Sequence, residues 1–283
     1  MRSLVVAVLV PCLALATPST PAGEIYSLVR AHVTHVAREA SDDRLLLTSD
    51  ALVALGTSGF QLGNLERSLA TTVNDGWNRV SRELGKPTVG FDPAGGFAWF
   101  QLPSDARFAH RGEENPVVPY ETDERIGGLA VRDGTTWRLA ALAYSDVASD
   151  KELLTRRTNQ VSSVPASAKL EGDAALAKTV LGWFTTGFAP HMASAKVVVA
   201  SGASPSEFGK GKDAATLVKG WDKRKLAVET LDARTYANGK AAAVRATVVI
   251  PSKQGKGGTT LGVLVILVRE GDAWRWVSVQ YSV

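Results

Sequence analysis

The chain has 283 residues, of which 45% are hydrophobic and 21% charged, and its formal net charge is +4. That length predicts two domains, each large enough for a core of its own. The composition excludes a disordered or fibrous chain, and the small charge excess argues against nucleic acid as a main partner.

The N-terminus has the pattern of a secretory signal peptide. Arg2 precedes an apolar run that ends at Ala16 and is shorter than the roughly 20 residues that a membrane-spanning helix needs. The run closes with Ala-Leu-Ala, the small-x-small pattern of a cleavage site. We therefore expect a signal peptide over residues 1–16 and an exported mature chain, periplasmic or secreted, without a stable membrane anchor; an uncleaved anchor is the alternative. The only cysteine, Cys12, lies in this segment, so the mature chain would have no disulfide.

The rest of the chain repeats itself. Residues 131–145 (VRDGTTWRLAALAYS) and 268–282 (VREGDAWRWVSVQYS) are identical at seven of fifteen positions, which indicates a duplication. We predict domains over residues 24–149 and 169–283, joined by a linker over residues 150–168. Further matches keep the same order: 52–57 with 196–201, Gly76-Trp77 with Gly220-Trp221, and 97–103 with 245–251.

The first copy carries an insertion before its closing strands. Pro103 precedes Arg132 by 29 positions, whereas Pro251 precedes Arg269 by 18, so the first copy has eleven extra residues. We expect a longer hairpin, with a lid over a pocket as the alternative.

Each copy is predicted to begin with helices and to end with strands. Apolar residues recur at helical spacing at the start of each copy, and His32 lies on the first of these stripes. The later segments are rich in Val, Thr and Trp and are bounded by turn signals. This order predicts an α+β fold in which each copy packs its helices on one face of a curved antiparallel sheet. The predicted helices span about residues 25–36, 67–80, 177–188 and 213–225.

Three features carry a resemblance to a known family. They are the opening helix, the segments VALGTSG (53–59) and VVVASGASPSEFGKGKDA (197–214), and the closing pattern DG-x-x-W-R…Y-S. In these features each copy resembles the SnoaL-like branch of the nuclear transport factor two-like superfamily. The resemblance implies a cone-shaped pocket between sheet and helix in each copy. It implies no particular chemistry, because members include ketosteroid isomerase, scytalone dehydratase and many binding or scaffold modules.

The same resemblance bears on assembly. Related single domains pair through their sheets, which implies that the two copies form an intramolecular pseudo-dimer and that the chain is monomeric.

Few residues suit catalysis. The resemblance implies an Asp, His or Tyr in the cone of catalytic relatives. A related branch with a similar closing strand often carries a histidine two residues before the final serine, where this chain has Ala143 and Gln280. Neither side chain can transfer a proton, which weighs against a catalytic site inherited from those relatives. His32 is the remaining candidate base, since a neutral imidazole on the helix stripe could border the pocket. The alternative is a core histidine bonded to a backbone carbonyl.

A metal site is not expected. His32 and His35 form H-x-x-H with Glu39 one turn beyond, but no HExxH motif is present and no third ligand is placed. His110 and His191 are predicted to lie in loops. We expect no metal and no cofactor.

Our prediction is an exported, non-catalytic module that binds a small apolar molecule or serves as a scaffold. The alternative is an isomerase, dehydratase or cyclase-type enzyme acting on a small apolar substrate in the first cone, with His32 as base and Tyr144 or Tyr120 orienting the substrate. The candidate ligand-binding residues of the two cones are His32, Trp99, Tyr120, Tyr144, Phe184, Gln280 and Tyr281.

Overall fold

The structure is a computed structural model. The predicted signal peptide and most of the predicted linker lie outside the part of the chain that it describes. We call residues 20–146 the first half and residues 163–282 the second half. The described residues are 20–37, 46–55, 77–110, 120–146, 163–201, 214–222, 226–251 and 257–282.

The first half contains a helix and a six-stranded sheet. The strand order is β1-β6-β5-β4-β2, with β3 also paired to β4, and all pairs are antiparallel except the parallel pair β1–β6. The elements are α1 (Pro21–Ala37), β1 (Leu47–Leu55), β2 (Trp77–Leu84), β3 (Thr88–Phe91), β4 (Phe97–His110), β5 (Tyr120–Asp133) and β6 (Thr136–Asp146).

The second half contains a second six-stranded sheet, in the order β7-β9-β10-β11-β12-β8, whose two edge strands pair in parallel with their neighbours. The predicted α+β class is confirmed. The elements are β7 (Lys169–Gly172), α2 (Ala174–Thr186), a 3₁₀ turn (Ala189–His191), β8 (Val199–Ser201), α3 (Ala214–Asp222), β9 (Ala227–Tyr236), β10 (Ala241–Pro251), β11 (Gly258–Glu270) and β12 (Ala273–Ser282).

Capping residues set where the two long helices begin. Thr20 precedes α1, and its hydroxyl oxygen accepts a hydrogen bond from the Gly23 amide at 3.2 Å. Asp173 precedes α2, and its carboxylate accepts from the Ala175 and Leu176 amides at 3.1 and 3.0 Å. Helix N-termini leave amides without partners inside the helix, so these side chains stabilise both starts.

The closing hairpins of the two halves share one irregularity. The β5–β6 register shifts between Leu129 and Ala130, and the β11–β12 register shifts between Ile266 and Leu267. These are equivalent positions of the repeated sequence, each 137 residues apart. A bulge is a specific feature of a strand pair, so its recurrence supports the duplication.

The strand register corrects the upstream repeat alignment. Phe97 lies opposite Val131 and Ala241 lies opposite Val268, which are equivalent positions, so Phe97 corresponds to Ala241. The predicted match of 97–103 with 245–251 is therefore wrong by four residues. A shift of four residues leaves every side chain on the same face of the sheet, so the apolar pattern of the sequence does not reveal it. Phe97 and Val131 are 34 positions apart in the sequence, whereas Ala241 and Val268 are 27 positions apart. The insertion in the first copy is therefore seven residues rather than eleven.

Other local predictions also need correction. Leu52 pairs with Ala141 and Val199 with Ser278, so the match of 52–57 with 196–201 is wrong by three residues. Two sites lie in other elements than predicted: Trp77 begins β2 instead of lying in a helix, and His110 ends β4 instead of lying in a loop. Trp221 lies in helix α3, as predicted.

The described residues form three hydrophobic clusters. One lies between α1 and the first sheet, and we call this space the first cone. A second lies between α2, α3 and the second sheet, and we call it the second cone. The third joins the two sheets, with Leu129 and Phe97 from one half and Ile266 and Ala243 from the other. None of the described helices combines the length and hydropathy that crossing a membrane requires.

Candidate functional site

The first cone is lined by alternate residues of β4, β5 and β6. Successive strand residues point to opposite faces of a sheet, so residues two apart share a face. Phe100 and Leu102 of β4, Ile126 of β5 and Leu142 of β6 all pack in the cluster that includes α1. On each strand, the residue two positions before or after therefore also faces the first cone.

Four polar side chains lie at one end of this face or beside it: His32, Ser104, Glu124 and Tyr144. We call them the polar cluster. Their exposed fractions are 1%, 2%, 7% and 6% respectively, so all four are buried. Burying polar groups is costly unless they are paired, which makes such a concentration a candidate site.

The strand register and one ring contact bring the polar cluster together. Ser104 lies directly opposite Glu124. Tyr144 lies opposite Ile126, one same-face position from Glu124, so Glu124 and Tyr144 are diagonal neighbours at about 7–8 Å. The rings of His32 and Tyr144 are 6.4 Å apart between centroids. Helix α1 thus supplies an imidazole above a carboxylate and two hydroxyl groups on the sheet.

The polar cluster can exchange hydrogen bonds and protons with a bound molecule. A carboxylate accepts, a hydroxyl donates and accepts, and an imidazole can do both. The buried Ser104 hydroxyl forms no hydrogen bond with any described residue. A polar group of a ligand would satisfy it, since buried polar atoms normally have partners.

The second cone is apolar at three of the four equivalent positions. By strand register Ser104 corresponds to Val248 and Glu124 to Leu261. The buried residues Leu28, Val29 and His32 of α1 have the same spacing as Leu176, Ala177 and Val180 of α2, which matches His32 with Val180. Tyr281 corresponds to Tyr144. Val180, Val248, Leu261 and Tyr281 all belong to the core of the second cone.

Of the predicted ligand-binding residues, His32 and Tyr144 lie together in the polar cluster. Trp99 and Gln280 face the other half of the chain instead of a cone. The Trp99 indole donates to the Val197 carbonyl at 2.9 Å, and the Gln280 amide donates to Ser145 Oγ at 2.8 Å. Each is one residue from a cone-facing neighbour, so the pleat of the strand turns it to the opposite face.

The other predicted residues lie apart from the polar cluster. Tyr281 and Phe184 pack in or against the second cone, and the Phe184 ring meets Phe188 edge-on at 4.9 Å. Tyr120 begins β5, and its side chain lies outside the described part. Sequence reasoning missed Ser104 and Glu124, although the odd placement of a carboxylate in step with apolar residues of a strand was a usable signal.

His191 and Tyr236 are among the groups outside the polar cluster whose pKa values are shifted. Burial lowers the pKa of His191, which stacks on Trp183 at 4.6 Å, and the charge of Arg275 lowers it further. Burial raises the pKa of Tyr236, whose hydroxyl donates to the Asp50 carbonyl of the first half. Among the described residues no three His, Cys, Asp or Glu side chains are grouped as a metal ion would require.

Comparisons with known proteins give similar solved structures for part of the chain. No protein family model matches the sequence, and no curated protein matches it. The chain is similar to a ketosteroid isomerase-like protein from Erwinia carotovora atroseptica, with 13% identity and a TM-score of 0.35 over 45% of this chain and 96% of that one. It is similar to an NTF2-like (nuclear transport factor two-like) protein of unknown function in nutrient uptake from Rhodospirillum rubrum, with 14% identity and a TM-score of 0.34 over 44% and 95%. An NTF2-like protein from Cytophaga hutchinsonii gives 10% identity and a TM-score of 0.35 over 44% and 95%.

Proposed function

We propose that the first cone binds a small, largely apolar molecule that carries a hydroxyl or carbonyl group, and that the second half supports it. One observation carries this proposal: buried polar groups are concentrated in the first cone, whereas three of the four equivalent positions in the second are apolar. Two copies of one fold need similar cores to be stable. Polar groups that are buried in one copy alone are therefore not required for folding, and they indicate a ligand.

The surroundings of the polar cluster define the ligand class. Phe100, Leu102, Ile126 and Leu142 supply apolar contacts, and the polar cluster offers hydrogen bonds. Binding sites for small molecules commonly combine an apolar lining with a few placed polar groups. All four groups are buried in the chain alone, so binding requires the packing around them to open.

Proton transfer is a second candidate, favoured by the carboxyl group of Glu124 and the imidazole of His32 both lying near Tyr144. A general acid and a general base must both reach the reacting molecule, and this arrangement supplies one of each type. The reaction class would be isomerisation or dehydration next to a carbonyl or hydroxyl group.

Export and a monomeric chain belong to the same proposal. The signal-like residues 1–16 support export to the periplasm or the medium. The hydrophobic cluster between the sheets supports a chain that needs no second copy, because each sheet already covers the other.

Binding is tested by ¹⁹F NMR titration of the full mature chain with 4-fluorophenol and with fluorobenzene. We expect 4-fluorophenol to bind about tenfold more tightly, since a hydrogen bond of about 1–1.5 kcal/mol changes the affinity by roughly that factor. Tyr144→Phe should remove most of this preference. The matched variant Tyr281→Phe should leave it unchanged. Equal affinity for both probes, or equal loss in both variants, contradicts the proposal.

The catalytic candidate is tested by proton exchange. In D₂O, a small cyclic ketone should exchange the hydrogens next to its carbonyl faster with the protein than without it. Glu124→Gln should abolish that acceleration, whereas Glu171→Gln, at an exposed strand residue, should not. Exchange at the uncatalysed rate leaves binding as the function of the cone.

A further inference from the structure

A glutamine of the second half holds the two strands that carry the polar cluster. Gln280 lies in β12 and is 2% exposed. Its side-chain amide donates two hydrogen bonds into the first half, to Ser145 Oγ at 2.8 Å and to the Arg125 carbonyl at 3.3 Å. One amide group thus joins β5 and β6 from the face opposite the first cone.

The two anchored residues are the immediate neighbours of cone residues. Arg125 follows Glu124, and Ser145 follows Tyr144. Because successive residues point to opposite faces, a contact on the rear face sets the position of the backbone that carries the front side chains. The distance between Glu124 and Tyr144 therefore depends on Gln280.

Gln280 packs so closely against the first half that its contact depends on a neighbouring residue being small. A Cβ at Gly127 would overlap the side-chain carbonyl oxygen of Gln280. The pseudo-symmetric positions are Ala143 and Leu264, both in the cluster between the sheets. Gln280 of the second half thus has the short Ala143 as its counterpart in the first half. At this pair of positions the side-chain amide hydrogen bonds run only from the second half to the first.

We propose that Gln280 is a positioning residue, supplied by the second half, that sets the geometry of the polar cluster in the first cone; the proposal rests on the proposed function of that cone. The second copy thereby has a role that needs no pocket of its own. Its effect on ligand binding runs through Arg125 and Ser145 and involves no contact with the ligand.

The test compares Gln280→Met with Gln101→Met in the full chain. Both changes remove a glutamine amide from between the halves at nearly constant volume. The Gln101 amide donates to Ser201 and Ser278 of the second half, at 3.1 and 3.5 Å, and leaves β5 and β6 untouched. It is therefore a matched control for lost contacts between the halves.

Ring resonances of ¹³C-labelled tyrosine and histidine give the first readout, without any ligand. We expect Gln280→Met to shift the Tyr144 and His32 signals and to leave His191, in the second half, in place. The Tyr144 signal is assigned by its loss in Tyr144→Phe. If these signals move no more than in Gln101→Met, the proposal is overturned. Ser145→Ala removes one acceptor with little change in volume, and it should produce a smaller shift of the same signals.

Affinity for 4-fluorophenol and fluorobenzene gives the second readout. Gln280→Met should weaken 4-fluorophenol about fivefold and leave fluorobenzene unchanged, since only the hydrogen-bonding groups lose their positions. Equal weakening of both probes would indicate a merely structural role and overturn the proposal. If the ring signals shift but even the unmodified chain binds no probe, Gln280 positions the cluster and the proposed function is wrong.

Discussion

Replacing Gly127 by alanine tests the contact between the halves most sharply. The new methyl group would overlap the Gln280 side-chain oxygen and lie 3.1 Å from Gln101 Cγ. Gly127 lies inside β5 without a positive φ, so alanine is allowed there by the backbone. The amide of Gln280 must therefore move, and its two hydrogen bonds are the ones at risk.

The expected cost follows from those two bonds. Each contributes about 1 kcal/mol, and alanine offsets about 0.4–1 kcal/mol by restricting the unfolded chain. The free energy of unfolding should therefore fall by about 1–2 kcal/mol in Gly127→Ala, within the range usual for overpacking.

A double-mutant cycle with Gln280→Ala isolates the contact. Urea unfolding is followed by tryptophan fluorescence for the unmodified chain, each single variant and the double variant. With the glutamine removed, the methyl group has room, so Gly127→Ala should become neutral or stabilising. The coupling free energy should be about 1–2 kcal/mol, as for residues in direct contact. An equal cost of Gly127→Ala in both backgrounds would refute the predicted contact.

Three further predictions concern stability. Since the pKa of Tyr236 is raised by burial and then by Asp50, its neutral form stabilises the fold below about pH 10, and stability should fall as pH rises beyond that. Tyr236→Phe should flatten that fall in urea titrations, and an unchanged slope would contradict it. Asp173→Ala should cost about 1 kcal/mol by uncapping α2, and a neutral result would show that the cap contributes nothing. Trp99→Phe, which removes the hydrogen bond to Val197, should cost about 1 kcal/mol, and unchanged urea unfolding would contradict that.

Local sequence patterns predict a helix or hairpin well where that element depends only on residues close in sequence. The closing hairpins are examples, and both keep the stacked pair that their sequence shares: Arg132 lies over Trp137, and Arg269 lies over Trp274. The stripe of α1 is another, because His32 is buried on it as the helical spacing predicts. In both cases the pattern depends only on residues close in sequence.

The candidate site depends on pairing between distant strands, and the sequence shows less of it. Glu124 stands in the charged run ETDER, which resembles a solvated segment and obscures its step with Ile126, and its register opposite Ser104 places it in the cone. The alternation rule alone could have shown that Gln280 and Tyr281, adjacent on a strand, face opposite sides. The structure shows which of the two faces the other half, because the glutamine amide bonds to Arg125 and Ser145.

The most direct test of the central claim is a crystal structure of the full mature chain with 4-bromophenol, located by the anomalous scattering of its bromine. The account predicts one bromine site in the first cone, with the phenol oxygen within hydrogen-bonding distance of Glu124, Ser104 or Tyr144. Bromine in the second cone beside Tyr281, or between the two sheets alone, would contradict the assignment of binding to the first cone.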